Sequence, residues 1–139
     1  MIVLDTNVIS ALMAAPANAG VVAWMNRQPA PSIWTSAISV FEIELGIQLL
    51  PAGRRRTGLR LAFERMLREG LENRVLAFDE PAAMTAGGLS AGRRRAGRAV
   101  DIRDIQIAGI AAARRATLAT RNVKHFEGLG LKLVNPWRD

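Results

Sequence analysis

Short apolar runs alternate with longer segments of helical periodicity along this chain. The apolar runs predict five strands, at Met1–Leu4, Ser32–Thr35, Arg74–Phe78, Thr117–Thr120 and Leu131–Val134. Between them, apolar residues recur three or four positions apart. This spacing predicts helices at Ile9–Met13, Ala19–Arg27, Ile38–Leu49, Leu59–Leu67 and Ile102–Arg115, with another that begins at Asp79. Strands that alternate with helices favour an α/β fold, in which helices cover both faces of a parallel sheet.

The helix after the second strand carries an apolar stripe of Ile38, Phe41, Leu45 and Leu49. We expect this stripe to face the core. Glu42 lies on the same side, and a carboxylate there is costly unless it is paired or binds a cation. Alternatively, Glu42 lies at the edge of the stripe and reaches solvent, although Glu44, on another face, suits that role better.

In parallel α/β sheets, ligands bind beyond the carboxyl ends of the strands, where the strand order reverses. Polar residues directly follow four of the predicted strands: Asp5, Thr6, Asn7, Ser36, Asp79, Arg121 and Asn122. Asp5 either caps the next helix or belongs to a ligand site. Its position directly after the first apolar run favours the site.

Two further acids open the helix before the fourth strand. Asp101 fits the N-cap position, and both Asp101 and Asp104 gain from the positive end of the helix dipole. Asp104 shares its side of the helix with Ile107, Ala108 and Ala111, which we expect to pack inward. Asp104 is therefore the better functional candidate, whereas Asp101 is explained well as a cap.

Composition narrows the chemistry that these acids can serve. The 139 residues are enough for one domain, 1–139. The absence of Cys and the single His exclude disulfides and metal sites built from Cys or several His. A metal would have mainly oxygen ligands, which favours Mg²⁺ or Mn²⁺. The single His125 is better explained by packing or by the surface than by a catalytic triad.

The net charge of +7 comes from 19 Lys and Arg against 12 Asp and Glu. A coding bias explains the preference for Arg over Lys, but it explains the excess over acids less well, so nucleic acid stays open as a partner. Arg54–Arg56, Arg93–Arg95 and Arg121 could hold phosphates, and each run equally fits a solvated helix face. The opening residues lack a basic leader and no stretch resembles a membrane span, so we expect a cytoplasmic protein.

Four motifs resemble, in order and spacing, those of PIN-domain nucleases. They are Asp5-Thr6-Asn7 after the first strand, Ser36 with Glu42 and Gly46, Asp101-x-x-Asp104-x-x-Ile107-Ala108, and Ala119-Thr120-Arg121-Asn122-x-x-x-Phe126. The resemblance covers the whole chain. The chain is similar to the VapC type of toxin, and within it to the FitB-like subgroup, for which the ending Asn135-Pro136-Trp137 is typical. The resemblance implies a three-layer α/β/α PIN-like domain around a central, mostly parallel, five-stranded sheet.

The resemblance also implies the toxin of a type II toxin–antitoxin pair, acting as a Mg²⁺- or Mn²⁺-dependent endoribonuclease. Asp5, Glu42 and Asp104 match the family's acidic cluster, which is catalytic and binds metal. Asn122 matches a fourth place that is acidic in many members, so a second metal should bind there more weakly or through water. Thr6, Asn7, Ser36, Asp101, Thr120 and Arg121 are expected to line the site.

The partners implied by the resemblance are an antitoxin protein, an RNA substrate, a second copy of the chain in a homodimer, and DNA only through the antitoxin. Two alternatives stay open. One is a non-catalytic or weakly catalytic PIN protein that acts with its antitoxin in DNA binding and transcriptional autoregulation. The other is a housekeeping PIN nuclease. The apolar faces near Ala19–Trp24 and Leu59–Leu67 fit either an interface or the core.

Overall fold

Five parallel strands form the centre of the computed structural model, which describes residues 1–139. The strands are β1 (Ile2–Leu4), β2 (Ile33–Ser36), β3 (Val75–Leu76), β4 (Thr117–Ala119) and β5 (Lys132–Val134). Their order in the sheet is β3-β2-β1-β4-β5, and every neighbouring pair is parallel. The predicted five strands are therefore confirmed. The sheet is parallel throughout rather than mostly, and β3 is shorter than the run that predicted it.

Seven α-helices connect and follow the strands. They are α1 (Thr6–Met13), α2 (Ala19–Asn26), α3 (Ala37–Leu49), α4 (Arg54–Arg65), α5 (Glu80–Arg95), α6 (Ile102–Ala113) and α7 (Val123–Phe126). α4 continues into a π-helical turn, Met66–Gly70. Five helices begin at a side chain that accepts a backbone N–H: Asp5, Asn18, Ser36, Asp79 and Asp101. None of the helices has the length and apolar character needed to span a bilayer.

The helices form a layer on each face of the sheet. Because side chains alternate along a strand, Val3 and Leu4 point to opposite faces, and each joins its own hydrophobic core. α5, α6 and Phe126 of α7 cover the face of Val3, whereas residues of α1 to α4 cover the face of Leu4. The three-layer α/β/α architecture is confirmed. Trp24 and Phe63 are buried in the second core, so the apolar faces of α2 and α4 serve packing within the domain.

The buried face of α3 differs from the predicted apolar stripe. Ser39, Ile43 and Ile47 face the interior, whereas Phe41 and Leu49 are exposed. The expectation that the whole stripe faces the core is therefore wrong at these two positions. α3 is apolar almost all round, so its pattern singles out no face.

α5 and α6 pack closely through small residues. A Cβ on Gly109 of α6 would lie 2.6 Å from both the carbonyl oxygen of Ala82 and the Cβ of Ala86 on α5. α5 itself runs without interruption past the glycines at positions 87, 88 and 92. This contact fixes the position of α6, and with it Asp104, relative to α5.

Candidate active site at the carboxyl edge of the sheet

The strand order reverses between β1 and β4. The chain builds the sheet outward from β1 through β2 to β3 and then returns to place β4 on the other side of β1. Asp5 follows β1 and Thr120 follows β4, and the N–H of Asp5 donates to the carbonyl of Ala119 at 2.9 Å. Asp5 therefore lies at the reversal point, where open parallel sheets bind their ligands.

Asp5 is buried, and both of its carboxylate oxygens accept hydrogen bonds. Its Oδ1 accepts from the backbone N–H of Thr6 at 2.8 Å. Its Oδ2 accepts from Oγ1 of Thr120 at 2.8 Å and from Nδ2 of Asn7 at 3.3 Å. Burial nevertheless raises the pKa of Asp5 from 3.8 to about 6, with smaller contributions in the same direction from the charges of Asp104 and Glu42. A nearby cation would favour its ionised form.

Thr6 connects Asp5 to Glu42 on α3. The hydroxyl of Thr6 donates to Oε1 of Glu42 at 2.8 Å and lies 2.9 Å from the hydroxyl of Ser39. Ser39 is buried one turn before Glu42, and its backbone N–H donates to Oγ of Ser36 at 3.1 Å. Ser36 thus caps α3 behind the site. The sequence pattern does not predict a role for Ser39, although its place three residues before Glu42 puts both on one side of the helix.

The second carboxylate oxygen of Glu42 faces a cation from α6. Nη1 of Arg103 lies 3.6 Å from Oε2 of Glu42. The same guanidinium lies 5.2 Å from the centroid of the exposed ring of Phe41. Glu42 is therefore neither buried among apolar residues nor free in solvent, but held between a hydroxyl and an arginine. Arg103 has no counterpart among the predicted site residues, and its position directly before Asp104 is the only signal for it.

Asp104 is half-buried in the first turn of α6. Oδ1 of Asp101 accepts from the backbone N–H groups of Arg103 and Asp104, each at 3.0 Å, which confirms Asp101 as the helix cap. Burial and the charge of Asp101 raise the pKa of Asp104, whereas His125 lowers it. Nδ1 of His125 lies 3.3 Å from Oδ2 of Asp104. His125 is exposed, as expected of a surface residue, but its contact with Asp104 is not predicted by the sequence pattern.

The segment after β4 closes the site on the side of α1. The N–H of Arg121 donates to Oδ1 of Asn7 at 3.1 Å, and the N–H of Asn122 donates to Oγ1 of Thr120 at 3.1 Å. The guanidinium of Arg121 lies 5.2 Å from the ring of Trp137. Asn122 is exposed, and Thr120, which bonds to both, connects it to Asp5.

The acidic cluster (Asp5, Glu42 and Asp104) offers oxygen donors of the kind that hard divalent cations take. Glu42 and Asp104 both raise the pKa of Asp5, so the three acids lie within electrostatic reach of one another. No three His, Asp or Glu side chains form a group that could hold a metal ion by themselves. Mg²⁺ keeps several waters and usually takes only one or two carboxylates, so this donor set fits such a cation without a closed protein shell.

Comparison with known proteins places this chain within a family. The PIN domain matches residues 2–129. The plasmid stability protein StbB of Pseudomonas syringae pv. tomato is 42% identical over 137 residues, which are 99% of each chain. The VapC ribonuclease Y4jK of Sinorhizobium fredii is 39% identical over 137 residues, which are 99% of this chain and 98% of that one. The toxin FitB of Neisseria gonorrhoeae is 34% identical over 139 residues, with complete coverage of both chains.

The solved structures agree with the sequence relatives. A chain in the structure of FitAB bound to an IR36 DNA fragment matches with a TM-score of 0.90 at 33% identity, covering 100% of this chain and 97% of that chain. The sheet order and the helix layers are thus those of a shared architecture. The chain belongs to the PIN-domain family, and within it to the toxins of the VapC and FitB type.

Proposed function

We propose that the protein is the toxin of a type II toxin–antitoxin pair and cleaves RNA phosphodiester bonds with the help of Mg²⁺ or Mn²⁺. The observation that carries the proposal is the acidic cluster, whose members come from three separate elements of a PIN domain to the reversal point of the sheet. Neighbouring carboxylates repel one another when ionised, and this repulsion is costly unless a cation lies among them. The relatives named VapC ribonuclease and toxin FitB support the ribonuclease and toxin roles.

In this mechanism the acidic cluster would hold the cation, and Asn122 would offer a neutral oxygen beside it. The cation, when bound, supplies acidification of a water and stabilisation of negative charge at the phosphate. Thr6 orients the carboxylate of Glu42, and Thr120 orients that of Asp5, through hydrogen bonds of 2.8 Å. Arg103 would balance the charge of Glu42.

We also propose that an antitoxin protein binds this chain in the cytoplasm and that the chain forms a homodimer. The FitAB assembly on a DNA fragment contains a chain of the same architecture, which supports an antitoxin partner and an indirect encounter with DNA. Size-exclusion chromatography with light scattering, run on the protein alone and with the product of the adjacent gene, tests both. The proposal is contradicted if the protein is a monomer and does not bind the product of the adjacent gene.

Cleavage by purified protein, freed of antitoxin, is the central test. RNA should be cut with Mg²⁺ or Mn²⁺ present, and EDTA should stop the reaction. Asp5→Asn should lower cleavage by about 100-fold or more, because even residues that merely support a metal ligand are worth about 10–100-fold. Asp79→Asn is the matched control, since Asp79 also follows a strand and caps a helix. If Asp5→Asn keeps full activity, Asp5 is not part of the catalytic site.

A second candidate is a non-catalytic PIN protein that acts with its antitoxin in transcriptional regulation. The neutral Asn122, at a place that is acidic in many members of the family, favours it. Calorimetric titration with Mn²⁺ separates the two functions. Saturable binding supports the nuclease, whereas no binding, together with unaffected growth on expression, supports the regulator.

A further inference from the structure

Two cavities lie on either side of the short helix α7. The larger has a volume of about 530 Å³ and includes Asp104 in its wall. The smaller has a volume of about 230 Å³ and includes Asn122. Lys124 and His125 border both cavities, so α7 stands as a ridge between them. We refer to the two cavities and this ridge as the α7 groove.

Cations outnumber acids in the α7 groove. Its basic residues are Arg93, Arg98, Arg121, Lys124 and Arg138. Its two acids both belong to the start of α6 and line only the larger cavity. The smaller cavity has cations and no acid. Concave surfaces lined by one sign of charge concentrate ligands of the opposite sign, so the groove fits an anion that extends beyond one cavity.

The cations differ in what they already bind. Nη2 of Arg93 donates to the backbone carbonyls of His125 and Glu127, at 2.7 and 3.1 Å, and so fixes α7 to α5. Arg98, Lys124 and Arg138 make no ion pair in the protein. These three charges are therefore available to a ligand, whereas Arg93 is largely structural.

Two further observations concern the larger cavity. Nε of Arg93 is buried and has no acceptor. Buried donors almost always have a partner, and an oxygen of a bound phosphate or of water would supply one. Val100, Ile105 and Leu129 give the same cavity an apolar side. A basic rim around an apolar surface suits a nucleotide, since its phosphate is anionic and the flat faces of its base pack against apolar side chains.

We propose that the α7 groove binds single-stranded RNA across α7, with Arg98, Lys124 and Arg138 on successive phosphates. One nucleotide occupies the larger cavity beside Asp104, and the strand continues over the ridge into the smaller cavity. The inference rests on the proposed ribonuclease function and adds the residues that hold the substrate. It also explains why His125 stands at the centre of the groove in contact with Asp104.

The test measures binding apart from cleavage. Fluorescence anisotropy is recorded with a labelled 12-nucleotide RNA of random sequence, in EDTA and in the Asp5→Asn background. Adding Lys124→Gln and Arg138→Gln together should weaken binding about tenfold or more. Single strands lose about 0.7 in the slope of log K against log salt for each lost phosphate contact, so the slope should fall by about 1.4.

The matched control removes the same charge elsewhere. Arg65→Gln with Arg68→Gln, both exposed near the end of α4, should change the affinity by less than about twofold, because charges beyond a Debye length of about 10 Å are screened. If both pairs of substitutions weaken RNA binding equally, the proposal that RNA binds in the α7 groove is overturned. Thermal melting followed by circular dichroism checks that every variant is folded.

Photo-crosslinking gives a second, independent result on the unaltered chain. RNA carrying 4-thiouridine, added in EDTA, should crosslink to peptides from residues 93–105 and 121–138. Crosslinks confined to other peptides overturn the proposal. If wild-type protein fails to cleave RNA but binds it through the groove, the proposed nuclease function is wrong and the proposed RNA-binding groove is supported. If cleavage is normal and substitutions of the groove residues do not change RNA binding, only the proposed groove is wrong.

Discussion

At the residue scale, Asp5 is a buried carboxylate, and burial disfavours its charged form. Burial raises its pKa to about 6 in the folded protein, against an ordinary value of 3.8. Between these two pH values the folded state holds more protons than the unfolded state, so its stability falls as the pH rises through this window. At pH 7 the ionised Asp5 opposes folding by roughly 3 kcal/mol at most, at about 1.4 kcal/mol for each pKa unit.

Asp5→Asn should therefore stabilise the metal-free protein at pH 7, by about 1–3 kcal/mol. The gain should shrink as the pH falls toward 4, where wild-type Asp5 is protonated. Urea unfolding at the two pH values measures both effects. Glu80→Gln, at an exposed acid of α5, should stay within about 0.5 kcal/mol of wild type. If Asp5→Asn is less stable than wild type at pH 7, the inference that ionised Asp5 destabilises the folded protein is contradicted.

Thr6 tests whether the orientation of Glu42 matters. Thr6→Val keeps the shape of the side chain but removes the hydroxyl that donates to Glu42 at 2.8 Å. Cleavage should fall about tenfold, the lower end of what supporting residues contribute at metal sites. Initial rates at saturating Mg²⁺ measure the effect. Thr57→Val, at an exposed position of α4, is the control, and equal rates for both variants would show that the hydrogen bond is dispensable.

At the scale of elements, the contact between α5 and α6 decides where Asp104 lies. Gly109→Ala should destabilise the protein by about 1–3 kcal/mol, since the new Cβ meets a backbone carbonyl at 2.6 Å and overpacking has this cost. Gly88→Ala is the opposite case, because a Cβ there meets nothing within 4 Å on the exposed side of α5. It should stabilise by up to about 1 kcal/mol. Denaturant unfolding of the pair checks the prediction.

The elements themselves were predictable to differing degrees. Capping residues such as Asp79 and Asp101 mark helix starts because they bond to nearby backbone N–H groups, which is a local property. The inward packing of Ile107, Ala108 and Ala111 on α6 was also predictable, although Ile105, Gly109 and Ile110 are buried as well, so α6 is enclosed on most sides. The buried side of α3 was not, because a helix that is apolar on most sides is oriented by its neighbours.

At the scale of the whole molecule, the chain carries a net charge of +7, yet the acidic cluster concentrates negative charge at one place. Increasing Mn²⁺ should raise the melting temperature progressively, because a ligand that binds only the folded state stabilises it with the logarithm of its concentration. Asp5→Asn should abolish the response. Asn122→Asp should lower the Mn²⁺ concentration needed, because it restores a negative charge beside the cluster.

The control for this titration is Asn26→Asp, which makes the same charge change at an exposed position of α2. It should leave the Mn²⁺ response at the wild-type concentration. Differential scanning fluorimetry over a series of Mn²⁺ concentrations measures all four proteins. An identical response from wild type and Asn122→Asp would place residue 122 outside the cation's reach.

The sequence by itself determined the order of strands and helices, the parallel sheet and the edge at which Asp5 lies, because apolar periodicity and capping are properties of neighbouring residues. Only the tertiary structure decided which side of α3 is buried and that Arg103 and His125 face Glu42 and Asp104. It also decided that the cavities on either side of α7 share one ridge. These relations join residues from separate elements, and they depend on how the helices pack on the sheet rather than on any local pattern.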